Sequence, residues 1–163
     1  MTTPGARVHK NVRRVIEAGR DLGLTIETRS FPDGTKTAAD AAAAIGCEVG
    51  QIVKSLVFAI DGQPVVAYVS GANQLDEGLL ATAAGGARCE RVDADVVRRS
   101  TGFPIGGVPP IGHATPLPVF VDPDLLTWPE VWAAAGTWND VFPIEPHSLV
   151  EASGGTVTPL KRV

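Results

Sequence analysis

Cysteine is scarce in this chain of 163 residues. Cys47 and Cys89 stand far apart with no ligand spacing, which excludes a disulfide framework and predicts two reduced thiols. No apolar run approaches the ~20 residues a membrane span needs. The opening MTTPGARVHKNVRR leads into a charged amphipathic segment rather than an apolar one, so no signal peptide is expected and the reading is soluble and cytoplasmic. Nucleotide, zinc and nucleophile-elbow signatures are missing: there is no GxGxxG after a strand, no GxxxxGK[ST], no HExxH, no CxxC and no G-x-S-x-G. The three histidines, His9, His113 and His147, lack metal-ligand spacing, so neither a metal nor a cofactor is expected. A surplus of basic charge is missing too. The net charge of −4 argues against DNA and against a broad nucleic-acid-coating surface, but a few cations suffice for an RNA end.

What is present is apolar. At 44% hydrophobic residues the chain can bury a core without staples, and its length suits one domain spanning residues 1–163. Val8, Val12, Val15, Ile16, Gly19 and Leu22 share a helical face, leaving Arg13, Arg14 and Arg20 to water. Leu24 to Thr28 alternate like a half-buried strand. Thr37 with Asp40 caps a helix over Ala38 to Ile45, and Glu48 to Lys54 reads as a further helical turn or two. Ser55–Ile60 and Pro64–Val69 flank Asp61-Gly62, a hairpin whose apolar strands should be central and covered on both faces. Helices follow at Asp76–Ala84 and Ala94–Ser100, with a short strand over Ala87–Val92 between them. Strands are expected at Leu117–Val121, Val131–Ala135, Val141–Ile144 and, at an edge, Thr156–Leu160; a short helix begins at Pro146. The sum is an α/β domain with a mixed parallel and antiparallel sheet flanked by helices.

The stretch Thr101–His113, TGFPIGGVPPIGH, holds four glycines and three prolines. Proline fixes φ and glycine allows φ > 0 or close approach, so this is a stiff loop able to aim peptide groups into a cavity. A rigid buried connection without chemistry is the plainer reading. Lys54, at the mouth of an apolar strand, has two readings as well. It is a snorkelling surface lysine, or it presents a three-donor point charge to a ligand.

VGQIVKSLVF (Val49–Phe58), SGANQLDEGLL (Ser70–Leu80), TGFPIGGVPPIGH and DPDLLTWPEVWAAAGT (Asp122–Thr137) follow one another at spacings that resemble the YbaK/ProX family, from about Thr37 to Val150. These are trans-acting aminoacyl-tRNA deacylases, related to the editing insertion domain of bacterial prolyl-tRNA synthetases. The resemblance implies a cavity beside the sheet and hydrolysis of an amino acid wrongly esterified to tRNA, mostly tRNA(Pro), without a protein nucleophile. The family's lysine matches Lys54, and its G-x-x-x-P element matches Gly106 to Pro110. Lys54 and Gly106 are the implied catalytic positions. Gly107, Val108, Pro110, Gly112, His113, Phe31, Gly136 and Thr137 are the implied substrate contacts. The partner implied is the terminal adenosine end of an aminoacyl-tRNA, with prolyl-tRNA synthetase or an elongation factor as a helper. Some relatives carry Ser-Gly-Gly-Lys-Arg-Gly in the late loop, where this chain reads Ala135-Gly136-Thr137-Trp138-Asn139-Asp140. No specificity is therefore carried over from those relatives, which include the Cys-tRNA(Pro) editors.

Under this reading Lys54 stabilises the developing negative charge, while backbone around Gly106 and Gly107 holds the water and the α-amino group. Phe31, Pro32, Val108 and Ile111 are pocket walls or core. His113 relays a proton or bonds to backbone. Trp128, Trp132 and Trp138 stack on a base or pack as core and rim. Lys36, Arg88, Arg91, Arg98 and Arg99 form a phosphate patch or a solvated face. The competing functions are a non-catalytic module that binds aminoacyl-tRNA or a synthetase, and a small-molecule binder.

Overall fold

The computed structural model describes residues 8–34 and 37–163. Helix α1 (Lys10–Asp21) starts where the His9 ring nitrogen Nδ1 accepts from the Asn11 amide, and it buries Val12, Val15 and Gly19. Leu22, expected on that buried face, is instead the helix cap and 55% exposed, because the chain reverses at Gly23 with φ 79°. The alternating segment after it forms no ladder until β1 (Arg29–Ser30). Ile26 packs on α1 instead: a methyl group at Gly19 would lie 2.4 Å from its side chain.

Helix α2 (Ala38–Ile45) has the expected Thr37 cap, whose hydroxyl accepts from the Asp40 amide. The helical turns expected over Glu48 to Lys54 shrink to a 3₁₀ turn, Val49–Gln51, closed by the Gln51 side chain on the Glu48 amide. β-branched Ile52 and Val53 then favour extension, so β2 (Val53–Ile60) takes in Lys54. Its partner β3 (Gln63–Ser70) pairs with it over the full length through Asp61 (φ 49°) and Gly62 (φ 84°), a turn with both central residues left-handed. Val65 to Ser70 of β3 are buried on both faces, as expected. The middle of β2 is only half-buried.

Next come α3 (Glu77–Ala83), β4 (Cys89–Arg91), α4 (Ala94–Thr101), β5 (Val119–Val121), β6 (Val131–Ala134), β7 (Asp140–Ile144), α5 (Pro146–Ser153) and β8 (Thr156–Val157). The strands form two sheets. Five run in the order β4-β2-β3-β5-β8, antiparallel across β2 and parallel from β3 through β5 to β8. Three run β1-β7-β6, all antiparallel. The α/β class and the mixed sheet are as expected, and β8 is the edge strand. The main core, holding Val15, Val66, Tyr68, Phe103, Val108 and Phe142, lies on one face of the larger sheet. A second cluster around Ala67, Val69, Leu80 and Leu160 covers the other face. Among the described residues no helix is long and apolar enough to cross a membrane.

Candidate active site

Strand β2 serves both sheets. At its start Ile52 bridges Trp132 of β6, and at its end Phe58 to Ile60 pair with Arg91 to Cys89 of β4. Between these points, among the described residues, no strand pairs with the outer edge of Lys54 to Val57. Those four residues are half-buried. Strand β6, which that bridge joins to β2 in a fork, carries Ala133 and Ala134 and runs into Ala135; Ala133 and Ala135 are buried in the main core.

Alternation along β2 sends Val53, Ser55 and Val57 to the face of Tyr68, and Lys54 and Leu56 to the face of Val69. Ser55 is the polar residue on the first face. Its Oγ is buried and among the described residues has no hydrogen-bond partner, which costs about 1–3 kcal/mol unless a ligand or water supplies one. Lys54 Nζ donates to the Asn73 carbonyl. Burial lowers its pKa, and the Asp122 carboxylate pushes it back up. Asp122 is itself buried and accepts from the Ser70 amide (3.1 Å) and from Asn73 Nδ2 (2.8 Å), so the lysine's surroundings are rigid. One bond to Asn73 leaves the ammonium two further donors.

The Gly/Pro loop is braced from outside. Arg14, expected to face water, donates to the carbonyls of Gly102 (3.3 Å) and Gly112 (3.0 Å) and lies 4.6 Å above the Phe103 ring. The buried Tyr68 hydroxyl donates to the Pro109 carbonyl at 2.6 Å. His113 Nε2 meets the same carbonyl at 2.6 Å and the Tyr68 oxygen at 3.1 Å. A carbonyl only accepts, so Nε2 carries the proton. Burial, opposed by that bond and aided by the Arg14 charge, lowers the pKa of His113. The ring binds backbone, the structural one of its two readings.

The late loop closes against this brace. Trp138 Nε1 donates to the Ile105 carbonyl at 2.6 Å. A methyl group on Gly106 (φ 79°) would meet the Trp138 ring, and one on Gly107 would lie 3.2 Å from the Thr137 backbone. Asn11 holds the Gly136 carbonyl at 2.9 Å, and the Thr137 hydroxyl is bound by Asp140. The Phe31 amide donates to the Asn139 carbonyl at 2.8 Å, and the Arg29 guanidinium lies 5.3 Å from the Phe31 ring and 5.4 Å from that of Trp132.

Gly106, Gly107, Gly136, Thr137 and Phe31 are thus brought together around the two loops. Val108, Pro110 and Ile111 are buried, Val108 and Ile111 in the main core, which also holds Val53, Ala133 and Ala135 of the fork. Lys54 shares the fork, but its partners Asn73 and Asp122 are not in the Gly106–Pro110 element. Trp128 packs over Gly50, and Trp132 is buried. In the expected basic patch Arg88 is paired with Glu90 (3.0 Å), Arg91, Arg98 and Arg99 are exposed, and Lys36 lies outside the described residues. Ser55, Tyr68, Asn73, Asp122 and Arg14 were not legible as site residues. A buried strand tyrosine and a surface helix arginine carry no local pattern.

An aminoacyl-tRNA editing domain model matches residues 32–152. The chain belongs to the aminoacyl-tRNA editing family. The chain is 40% identical over 89 residues to the proline–tRNA ligase of Geobacter sp. (strain M21), covering 55% of this chain and only 16% of that ligase. It is 28% identical over 120 residues to EbsC of Enterococcus faecalis, a candidate Cys-tRNA(Pro)/Cys-tRNA(Cys) deacylase, covering 73% of each. A solved structure of a candidate trans-editing enzyme for prolyl tRNA synthetase is 44% identical, with a TM-score of 0.90 over 96% of this chain and all of that one. The matched residues 32–152 contain the fork, the lysine and the braced loop, but not α1, which supplies Arg14 and Asn11.

Proposed function

We propose that this editing-family chain hydrolyses the ester of mischarged aminoacyl-tRNA, tRNA(Pro) above all, with a single domain over residues 1–163. The observation that carries the reading is the unpaired edge of β2, where among the described residues Ser55 holds a partnerless buried hydroxyl on the face of the braced loop and Lys54 a fixed ammonium on the opposite face.

Water adds to the ester carbonyl carbon, and the carbon–oxygen bond to the ribose breaks. The free amino acid leaves with the water's oxygen, and the ribose hydroxyl keeps a proton. The two unused Lys54 donors favour the oxyanion. Ser55 Oγ, desolvated in the native fold, holds the water or an oxygen of the substrate. The backbone at Gly106 and Gly107 takes the α-amino group, in a wall whose shape is set by Tyr68, His113 and Trp138. A rigid wall suits a second sieve, because a synthetase pocket separates substrates differing by one methylene by only about 1–3 kcal/mol.

Single-turnover hydrolysis of Ala-, Cys-, Ser- and Thr-charged tRNAs, cognate and non-cognate, is the test. Turnover of one species that is lost in Lys54→Ala supports the reading and names the substrate. No turnover of any species, with prolyl-tRNA synthetase or elongation factor added, removes it in favour of a binding module.

A further inference from the structure

A cleft of about 380 Å³ lies between the first turn of α1 and the C-terminal end of α4. Its side-chain walls are cationic, from Lys10, Arg14 and Arg98 with His9 beside them, and among the described residues no carboxylate lines it. That is unexpected in a chain with 18 acidic and 14 basic residues. Like charges gathered without a counter-charge raise each other's electrostatic cost, and an anion relieves it. Arg14 is already fixed by the Gly102 and Gly112 carbonyls. Among the described residues the Lys10 ammonium and the Arg98 guanidinium have no hydrogen-bond or ion-pair partner, so their donors face the cleft unspent. The cleft also shares Gly136 and Thr137 with the late loop that closes on Gly107. An anion bound here would therefore sit one loop away from the candidate active site.

We propose that this cleft binds a phosphodiester of the RNA whose aminoacylated end enters the fork at β2, so that the RNA approaches over α1 and α4. The proposal rests on the editing reading for the identity of the RNA. The cleft's chemistry is that of a phosphate site, and free phosphate is the other source to exclude.

The test uses fluorescence anisotropy with an uncharged RNA hairpin ending in a single-stranded CCA, across a salt series. Lys10→Glu/Arg98→Glu is compared with Arg20→Glu/Arg162→Glu, a charge-matched pair outside the cleft, and with Lys10→Ala/Arg98→Ala should the first fail to fold. The cleft variants should bind at least tenfold more weakly. Their slope of log affinity against log salt should fall by about 0.7–0.9 for each phosphate no longer neutralised. The control pair should stay within about twofold. Equal losses in the cleft and control pairs overturn the proposal, as does unchanged binding by the cleft variants. Titration with inorganic phosphate, followed by NMR, separates the sources. Loss of phosphate binding in the cleft variants with RNA binding intact makes the cleft a small-anion site and also overturns the proposal. Because the RNA is uncharged, these results do not depend on hydrolysis. A protein that deacylates nothing yet needs Lys10 and Arg98 for RNA loses the editing reading and keeps the cleft.

Discussion

The β2–β3 hairpin and the Gly/Pro loop are comparable pieces of chain with opposite means of support. The hairpin is local: a two-residue turn with both φ values positive, then eight paired positions. The loop has few backbone bonds of its own, such as the Gly107 amide on the Pro104 carbonyl at 2.9 Å. It takes its shape from Arg14, Tyr68 and Trp138, each distant in sequence. A ladder survives the loss of one side chain, whereas a loop held by a handful of side chains does not. The hairpin should therefore carry the chemistry on a frame that mutation barely disturbs, and the loop should be where stability and activity fall together.

Lys54→Ala tests the first half and should have the largest effect. Loss of one oxyanion donor costs about 10²–10³ in rate, with the melting temperature close to that of the parent because the ladder is untouched. Near-normal deacylation would leave Lys54 a structural partner of Asn73. A lost rate accompanied by a lowered melting temperature would mean that it acts through the Asn73–Asp122 cluster.

Two glycines with left-handed φ set the regions against each other directly. Gly62 has φ 84° and Gly136 has φ 96°, but a methyl group at Gly62 meets nothing within 4 Å, while one at Gly136 would lie 2.9 Å from Asn11 Cβ and 3.1 Å from the Phe103 ring. Gly62→Ala should cost about 1–2 kcal/mol from backbone strain alone. Gly136→Ala adds overpacking of about 1–3 kcal/mol, with lost activity. Chemical denaturation of both variants checks this, and equal losses would break the comparison.

Smaller effects should follow at the braces. Tyr68→Phe removes the hydroxyl but leaves His113 on the Pro109 carbonyl, so about 1–2 kcal/mol of stability is expected to go. Arg14→Ala removes two exposed charge-assisted bonds to the loop ends, worth about 1 kcal/mol in solvent. Each should lower kcat by more than Lys10→Ala does, since both hold the loop that walls the site and Lys10 does not.

The same contrast explains what was legible. The hairpin and the Thr37 and Asp93 caps depend on residues close in sequence and appear where the pattern puts them, whereas Asp76, expected as the first residue of its helix, is its cap, and the edge strand expected over Thr156–Leu160 spans only Thr156–Val157. The Leu24–Thr28 strand failed because Ile26 found a glycine on α1 to pack against. The boundary at Lys54 failed because the 3₁₀ turn is short and Ile52-Val53 extend. At the site, glycine and proline spacing and one lysine marked the loop and the strand. Ser55 and Arg14 depend on where another sheet or helix falls, and no window of sequence contains that.

His113 gives the smallest and most specific effect. Its folded-state pKa is lowered, chiefly by burial, from an ordinary value of about 6.5. Below about 6.5 the unfolded chain takes up a proton that the native ring resists, so stability should fall as pH drops from about 6.5 toward the lowered folded value, by at most about 1.4 kcal/mol per pH unit. Above that window the term is flat. His113→Gln, which can keep a donor toward the Pro109 carbonyl without titrating, should remove this slope while leaving the loop closed. Thermal unfolding at pH 7.5 and pH 5.5 reads it; Asp124, whose carboxyl Asn73 and Lys161 hold below the usual range, adds a slope only below its ordinary value of 3.8 and is silent between these two pH values. If the slope persists in His113→Gln, the acid sensitivity lies elsewhere and the Tyr68–Pro109–His113 brace is not the loop's titratable element. If it vanishes while deacylation survives at both pH values, His113 supports the wall and carries no proton in the reaction.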